Sequence, residues 1–251
     1  MTTRNSTQTV ALITGANKGI GFETARQLGE RGVTVLLGSR DAQKGVAAVA
    51  RLKAEGLDAH LIQLDVENPS HHAGAAEFIE KSYGRLDILV NNAGALFESA
   101  VEPELCLASC LPVDLYRRSF EVNFFQVVAL TQTLLPLIKK SGRGRIVNVS
   151  SIIASLSLQS DPDSPVYHVR APAYSISKTA MNSFTIQLAY ELRDTPIKVN
   201  SAHPGWVKTD IGGGDAPMQV AAGAATPVAL SLLPPDGPTG GFFHFDESLP
   251  W

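Results

Sequence analysis

The chain has 251 residues, 44% of them hydrophobic and 18% charged, with a net charge of −3 from 21 basic and 24 acidic side chains. That length and apolar content suit one α/β domain with a sizeable core. The slight acidic excess disfavours a phosphate-backbone binder, so no nucleic-acid partner is expected.

Two cysteines, Cys106 and Cys110, are too few for a disulfide framework or a thiolate metal site, which points to a reducing compartment. No apolar run approaches the roughly 18 residues that span a bilayer. The polar segment 1–9 leads at once into a strand-like run rather than a secretory signal. The expectation is a cytoplasmic protein with no membrane partner.

In chain order, short β-branched runs at 10–14, 33–38, 60–64, 86–91, 145–149, 198–202 and 241–245 alternate with amphipathic stretches at 19–31, 42–55, 69–83, 113–140, 174–193 and 218–231. That alternation predicts βαβ units, and the near-continuous apolar strands predict a parallel sheet buried on both faces. Asp41 stands where an N-cap belongs, and Gly32 and Gly56 close helices. Pro136 is expected to bend or shorten the long helical stretch. The irregular segments 95–111, 152–173 and 203–217 follow strand ends, where crevices form in open parallel sheets.

The first strand runs into Thr14-Gly15-Ala16-Asn17-Lys18-Gly19-Ile20-Gly21 and then a helix. Glycines there permit a tight turn and let the backbone approach a pyrophosphate at the helix N-terminus. The same sequence could also be no more than a tight turn. After the second strand, Asp41 either binds ribose hydroxyls or caps the next helix. Asp65-Val66 after the third strand offers either an adenine-side carboxylate or a helix-entry acid.

Tyr174-Ser175-Ile176-Ser177-Lys178 opens a helix, and a spacing of four puts phenol and ammonium on one face. A nearby ammonium favours phenolate and so lowers the tyrosine pKa. Tyr83, Tyr116, Tyr167 and Tyr190 have Asp87, Phe120, Ala171 and Asp194 at that spacing, so the pair is peculiar to Tyr174. Upstream, Val147-Asn148-Val149-Ser150-Ser151 ends a buried strand and brings hydroxyls to the same sheet edge.

With these residues in place the chain resembles the short-chain dehydrogenase/reductase family, most closely its NADPH-dependent carbonyl reductase branch. Thr14 to Gly21 matches TGxxxGxG, Asn91-Asn92-Ala93-Gly94 matches NNAG, Tyr174 to Lys178 matches YxxxK, and Pro204-Gly205 matches the PG turn. The resemblance implies a single-domain Rossmann-type fold over 1–251, a doubly wound, mostly parallel seven-stranded sheet flanked by helices. The cofactor half would be about 1–150 and the substrate part about 151–251.

It also implies roles. Tyr174 is the general acid in reduction, and Ser151 hydrogen-bonds the same carbonyl oxygen while Ser150 points the other way. Lys178 holds the nicotinamide ribose and tunes Tyr174. Asn123 holds a water linking Lys178 to solvent through a kinked backbone. Gly15, Asn17, Lys18, Gly19, Ile20, Gly21, Arg40, Asp65, Val66, Asn92, Ala93, Gly94, Pro204, Gly205, Val207 and Thr209 would line the cofactor, with Thr209 at its carboxamide. Asn91 braces the sheet or contacts the cofactor.

NADP(H) is expected over NAD, because Leu37-Gly38-Ser39 brings no acid to the end of the second strand, Arg40 follows, and Lys18 approaches from the glycine loop. Ser151 and Tyr174 stand 23 positions apart, farther than the family usually has. The intervening insert, 152–173, is expected to cover the substrate. It is shorter than the insert of monomeric carbonyl reductases, so their monomeric state does not transfer. A homodimer or homotetramer is expected instead, through the stretches carrying Phe124, Phe125, Val128, Phe184 and Leu188.

Leu96, Phe97, Leu156, Tyr167, Trp206 and Gly212-Gly213-Gly214 suggest an apolar pocket for a hydrophobic ketone or aldehyde. The six histidines form no metal motif; His71-His72 belong on a solvated helix face and His203 precedes the PG turn. No metal is expected. Alternatives are a catalytically silent nicotinamide-binding regulator, and an epimerase or dehydratase of the same superfamily.

Overall fold

The computed structural model describes residues 8–100, 102 and 106–251. Parts of two expected segments, the polar start of the chain and 101 and 103–105 of the irregular segment 95–111, lie outside the described residues.

One sheet organises the chain. Its strands are β1 (Val10–Ile13), β2 (Thr34–Ser39), β3 (Ala59–Gln63), β4 (Ile88–Asn91), β5 (Arg145–Val149), β6 (Lys198–Ala202), β7 (Phe242–His244) and β8 (Glu247–Ser248), in the order β3-β2-β1-β4-β5-β6-β7-β8. Every pair is parallel except β7 with β8. The sheet therefore has eight strands rather than seven; two-residue β8 is too short to leave a periodic signal. The order reverses direction between β1 and β4, and a ligand crevice opens at that switch beyond the strands' carboxyl ends.

Helices cover both faces. Alternation along β1 sends Ala11 and Ile13 to a core shared with Leu28, Val49 and Leu52, and Val10 and Leu12 to one shared with Ile79, Leu134 and Leu188. The first core lies under α1 (Gly19–Gly29), α2 (Ala42–Ala54) and α9 (Ala225–Ser231). The second lies under α3 (Pro69–Tyr83), α5 (Gln126–Lys139) and α7 (Pro172–Glu191). Strands buried on both faces must be apolar throughout, which is why they lack polar alternation. Each fully buried leucine or isoleucine contributes about 1.5–3 kcal/mol of apolar transfer.

The predicted helix stops hold: Asp41 Oδ1 accepts the Lys44 N–H at 3.0 Å at the start of α2, and Gly32 and Gly56 take left-handed φ of 79° and 80°. Four expectations change. The long stretch is continuous helix from α4 (Val113–Phe120) into α5, carrying a π turn at Glu121–Phe125, and Pro136 does not shorten it, since α5 runs on to Lys139. Buried Leu134, Leu137 and Ile138 hold the turns around Pro136 in place.

That stretch is also apolar enough to span a bilayer by length and composition, with a mean hydropathy of 1.3, contrary to the sequence expectation; half of it is buried inside the fold, as suits a core helix. His72, expected in solvent, is buried with its Nε2 against the Val66 oxygen at 2.7 Å. The stretch 218–231 is two short helices, α8 (Val220–Gly223) and α9, and 152–173 contains α6 (Leu156–Ser160).

Two devices steady the carboxyl edge of the sheet. Asn91 donates to Thr131 Oγ1 at 3.0 Å and Asn148 Oδ1 at 2.8 Å, and Asn148 donates to Thr185 Oγ1 at 2.9 Å. Asn91 thus braces β4 against β5, as buried amides must be satisfied. Residues 242–251 double back so that the Trp251 ring stacks on Phe242 at 5.6 Å. Its main-chain oxygen accepts from Ser157 N at 3.0 Å and Ser157 Oγ at 2.7 Å, tying the insert to the sheet. Cys110 is an exposed free thiol.

Candidate active site

The loop after β1 turns because Gly15 and Gly19 adopt φ of 63° and 58°, conformations that L side chains avoid. Gly21 is fixed by space: a Cβ there would lie 2.4 Å from Asn92 Nδ2 and 2.7 Å from the Gly15 oxygen. Asn92 in turn donates to the Thr14 oxygen at 2.8 Å, while Thr14 Oγ1 accepts the N–H groups of Asn92 and Ala93, each at 2.9 Å. Two separate sequence motifs therefore form one rigid corner. The N-terminus of α1 has no side-chain cap and no acid in its first turn, so its free amides point at whatever the cleft holds.

A cleft of about 1580 Å³ opens from this corner. Gly15, Asn17, Lys18, Gly19, Ile20 and Gly21 line one end, with Arg40 after β2 and Asp65 and Val66 after β3. Asn92, Ala93 and Gly94 form its middle, and Ser151, Tyr174, Lys178, Pro204, Gly205, Val207 and Thr209 the other end. An uncapped helix end, glycines without room for side chains and a basic residue at the rim fit a phosphate-bearing dinucleotide.

Asp41 is spent on its cap, and Asp65 Oδ1 accepts the Glu67 N–H at 3.2 Å while still facing the cleft. Lys18 differs from expectation. Its ammonium pairs with Asp210, across the cleft, so it is not a free cation waiting at the glycine loop. Arg40 is exposed and makes no hydrogen bond or ion pair among the described residues.

At the far end, Ser150 and Ser151 follow β5, and both line the cleft, although Ser150 was expected to point away from it. Ser150 Oγ is buried without a hydrogen-bond partner among the described residues, whereas Ser151 hydrogen-bonds the Tyr174 hydroxyl. Lys178, one turn along α7, donates to the Val149 oxygen at 2.7 Å and lies 5.8 Å from the centre of the Tyr174 ring.

Asn123 is the exception among the expected site residues: it does not line the cleft. Its Nδ2 donates to the Ala95 oxygen at 2.9 Å and to Ser177 Oγ at 3.1 Å, and its Oδ1 accepts the Ala95 N–H at 2.9 Å. The π turn thereby pins the loop after β4 to α7, just behind Gly94.

The electrostatics correct one expectation. Burial, reinforced by the carboxylate of Glu98, pushes the Tyr174 hydroxyl up to about 12, and the Ser151 hydrogen bond only partly opposes this. The lowering expected from Lys178 is not found, and desolvation disfavours the ammonium too, bringing Lys178 down to about 8. Tyr174 is consequently a neutral phenol at pH 7, poised to donate rather than accept. Glu98, which does not line the cleft, is a charged neighbour of the site that sequence reasoning missed.

His203 is held neutral by burial beside His244, at about 3, and its Nδ1 accepts the Ile152 N–H at 3.1 Å, which anchors the turn after Ser151.

Leu96, Phe97, Trp206 and Gly212 line the cleft beyond Tyr174, joined by Pro165, Val166 and Val169 of the insert. Leu156, Tyr167, Gly213 and Gly214 are not part of the lining. Leu156 is exposed at the start of α6, and Tyr167 packs edge-on to His168.

The short chain dehydrogenase family model matches residues 9–219, and the chain belongs to that family. Carbonyl reductase (NADPH) 1 of Mus musculus is 34% identical over 285 residues, covering 98% of this chain and 100% of the relative. (+)-Neomenthol dehydrogenase of Capsicum annuum is 29% identical over 98% of this chain and 99% of the relative. Among solved structures, carbonyl reductase Sniffer of D. melanogaster superposes with a TM-score of 0.82 at 27% identity, covering 97% of this chain and 100% of that one. Salutaridine reductase from Papaver somniferum superposes at 0.78 with 30% identity, covering 95% and 100%.

Proposed function

We propose that this chain is an NADPH-dependent carbonyl reductase that converts a hydrophobic ketone or aldehyde to its alcohol. The observation that carries the reading is the buried Tyr174 hydroxyl, hydrogen-bonded to Ser151 and backed by Lys178, at one end of a cleft whose other end is an uncapped helix N-terminus. Similarity to NADPH carbonyl reductases and to a neomenthol dehydrogenase supports both the cofactor and the reaction. The first half of the chain, about 1–150, would hold the cofactor, and 151–251 would shape the substrate end.

NADPH, when bound, supplies the hydride; the chain supplies the proton and the geometry. Ser151 and Tyr174, at the same end of the cleft, would hold a substrate oxygen between their hydroxyls, and Tyr174 would release its proton there as negative charge develops. Lys178 would hold ribose hydroxyls and stabilise the resulting phenolate. Asn123, its amide spent on Ala95 and Ser177, has only the backbone of the π turn to offer a water on a proton path from Lys178. Leu96, Phe97, Val166 and Trp206 would exclude water from an apolar substrate.

Two proton affinities set the expected pH behaviour. Lys178 is an ammonium below about 8 and loses its charge above it, while Tyr174 stays protonated up to about 12. Ketone reduction, followed as NADPH absorbance against a panel of ketones and aldehydes, should be flat through neutral pH and decline above about 8. Alcohol oxidation, which needs the phenolate, should rise with pH. A reduction rate climbing between neutral and alkaline pH would contradict the assignment, and inactivity across the panel would contradict the function.

A homodimer or homotetramer is part of the proposal. Val113 is 61% exposed, Phe125 51%, Ile176 46% and Tyr190 66%, all on α4, the π turn or α7. Leu188, expected on that surface, belongs to the core instead. Light scattering at micromolar concentration should give a multiple of the 26.7 kDa protomer mass, and a protomer-sized species would reject assembly. A cytoplasmic location is part of the proposal, supported by a chain with only two cysteines in 251 residues.

A further inference from the structure

Glu98 has no part in the chemistry set out above, yet the fold buries its charge. It lies in the single helical turn after β4 and is 4% exposed. A carboxylate in that position is costly unless something holds it. Its Oε1 accepts the main-chain N–H of Tyr174 at 2.8 Å, and Oε2 is buried with no hydrogen-bond partner among the described residues.

The holder is the start of α7. That helix brings no cap of its own: Ala171 offers no side-chain acceptor, Pro172 follows, and the first turn contains no acid. Its free amides and positive end favour an anion, which arrives from 76 positions away.

The neighbours of Glu98 show what this contact joins. Phe97 lines the substrate end of the cleft, beneath the guanidinium of Arg118 at 4.2 Å. The Glu98 main-chain oxygen accepts from Cys106 Sγ at 3.8 Å. On the other side, the Tyr174 oxygen accepts from Ser177 Oγ at 2.7 Å, and Ser177 is held by Asn123. One carboxylate therefore links the substrate wall to the turn that carries the proposed proton donor.

We propose that Glu98 is a positioning residue, whose carboxylate caps α7 at Tyr174 and fixes the wall formed by Leu96 and Phe97 relative to the Tyr174 hydroxyl. The inference rests on the reading of Tyr174 as proton donor. The same negative charge keeps the nearby phenol in its neutral, donating form. The charged or titratable groups that act on that phenol or line the cleft on the elements packed around it are Glu98 after β4, Arg117 and Arg118 in α4, Glu121 in the π turn, Arg170 before α7, Lys178 in α7 and His203 after β6.

The test compares Glu98→Ala, which removes both cap and charge, with Glu98→Gln, which keeps an amide oxygen as acceptor and removes only the charge. Misplacing a reacting group by about 1 Å costs on the order of 10²-fold. Glu98→Ala should therefore lower kcat/KM for a ketone by about 10–100-fold, while NADPH affinity, read by nicotinamide fluorescence, changes less than about twofold.

Glu98→Gln should recover most of that loss and move the rising limb of alcohol oxidation to lower pH, a shift that a purely structural side chain would not produce. Glu98→Ala with kcat/KM unchanged would overturn the proposal. So would Glu98→Gln as impaired as Glu98→Ala, or an oxidation limb that does not move. Tyr174→Phe measured alongside separates the two readings. If Tyr174→Phe remains active, the proton donor is wrong; if it is inactive while Glu98→Ala is unaffected, only the positioning role fails.

Discussion

Replacing Tyr174 by Phe should lower the rate of ketone reduction by about 10²–10⁴-fold, the range for loss of a positioned general acid. At 1.36 kcal/mol per decade this is about 3–5 kcal/mol of barrier. The hydroxyl is the only group the substitution removes, and the ring keeps its place among buried neighbours. Held near 12, the phenol is almost wholly protonated at neutral pH, so wild-type enzyme wastes little of its population in the wrong state. Ser151 Oγ would remain to hydrogen-bond a carbonyl oxygen but, at an ordinary hydroxyl acidity, could not replace the lost donor. Cofactor affinity should change less than about twofold, because Lys178 takes its fixed bond from the Val149 oxygen and not from Tyr174. Steady-state kinetics with NADPH, beside a cofactor-binding titration, checks both halves. If Tyr174→Phe and Ser151→Ala both keep near-full turnover, the site has been placed on the wrong residues.

What the sequence disclosed depended on how far apart the cooperating atoms lie along the chain. Local signals survived well: Asp41 caps α2 as its position implied, and Arg145–Val149 and Lys198–Ala202 fall where their apolar runs stand. The glycine corner was legible because positive φ and close approach select one residue type. Distant pairings were not. Nothing near Lys18 announces Asp210, 192 positions on, and nothing in α7 announces that its cap is Glu98.

Solvation was equally hidden. His72 stands in a polar stretch yet is buried, and Lys178 was expected to acidify Tyr174, whereas desolvation of both groups reverses the outcome. Asn123 shows a third kind of gap. Its position was visible, but its two-sided grip on Ala95 depends on a π turn, which has no composition signature. Leu156 and Tyr167 failed as pocket residues for a simpler reason: apolar character does not say which way a residue in an irregular segment points.

Choice of cofactor provides the second large effect, and the structure concentrates it on one side chain. NADP differs from NAD by a phosphate on the adenosine ribose, so discrimination depends on charge at the end of β2. Ser39 ends that strand without an acid, and Asp41, the nearest carboxylate, is turned onto the Lys44 N–H. Two cations were expected to favour the phosphate. Lys18, however, is paired with Asp210 and would have to exchange a carboxylate for the phosphate, so its net contribution shrinks.

Arg40 has no such competitor among the described residues and lines the same cleft. A hydrogen bond to a charged group contributes about 1.5–3 kcal/mol, and solvent at this exposed rim keeps it near the lower figure. At 1.4 kcal/mol per decade that is about tenfold. Arg40→Ala should accordingly raise the KM for NADPH by at least about tenfold and leave that for NADH nearly unchanged. Parallel titrations with the two cofactors decide the matter. Equal loss with both would make Arg40 a structural residue of the β2–α2 turn. A wild-type enzyme that prefers NADH would reject the NADPH assignment itself.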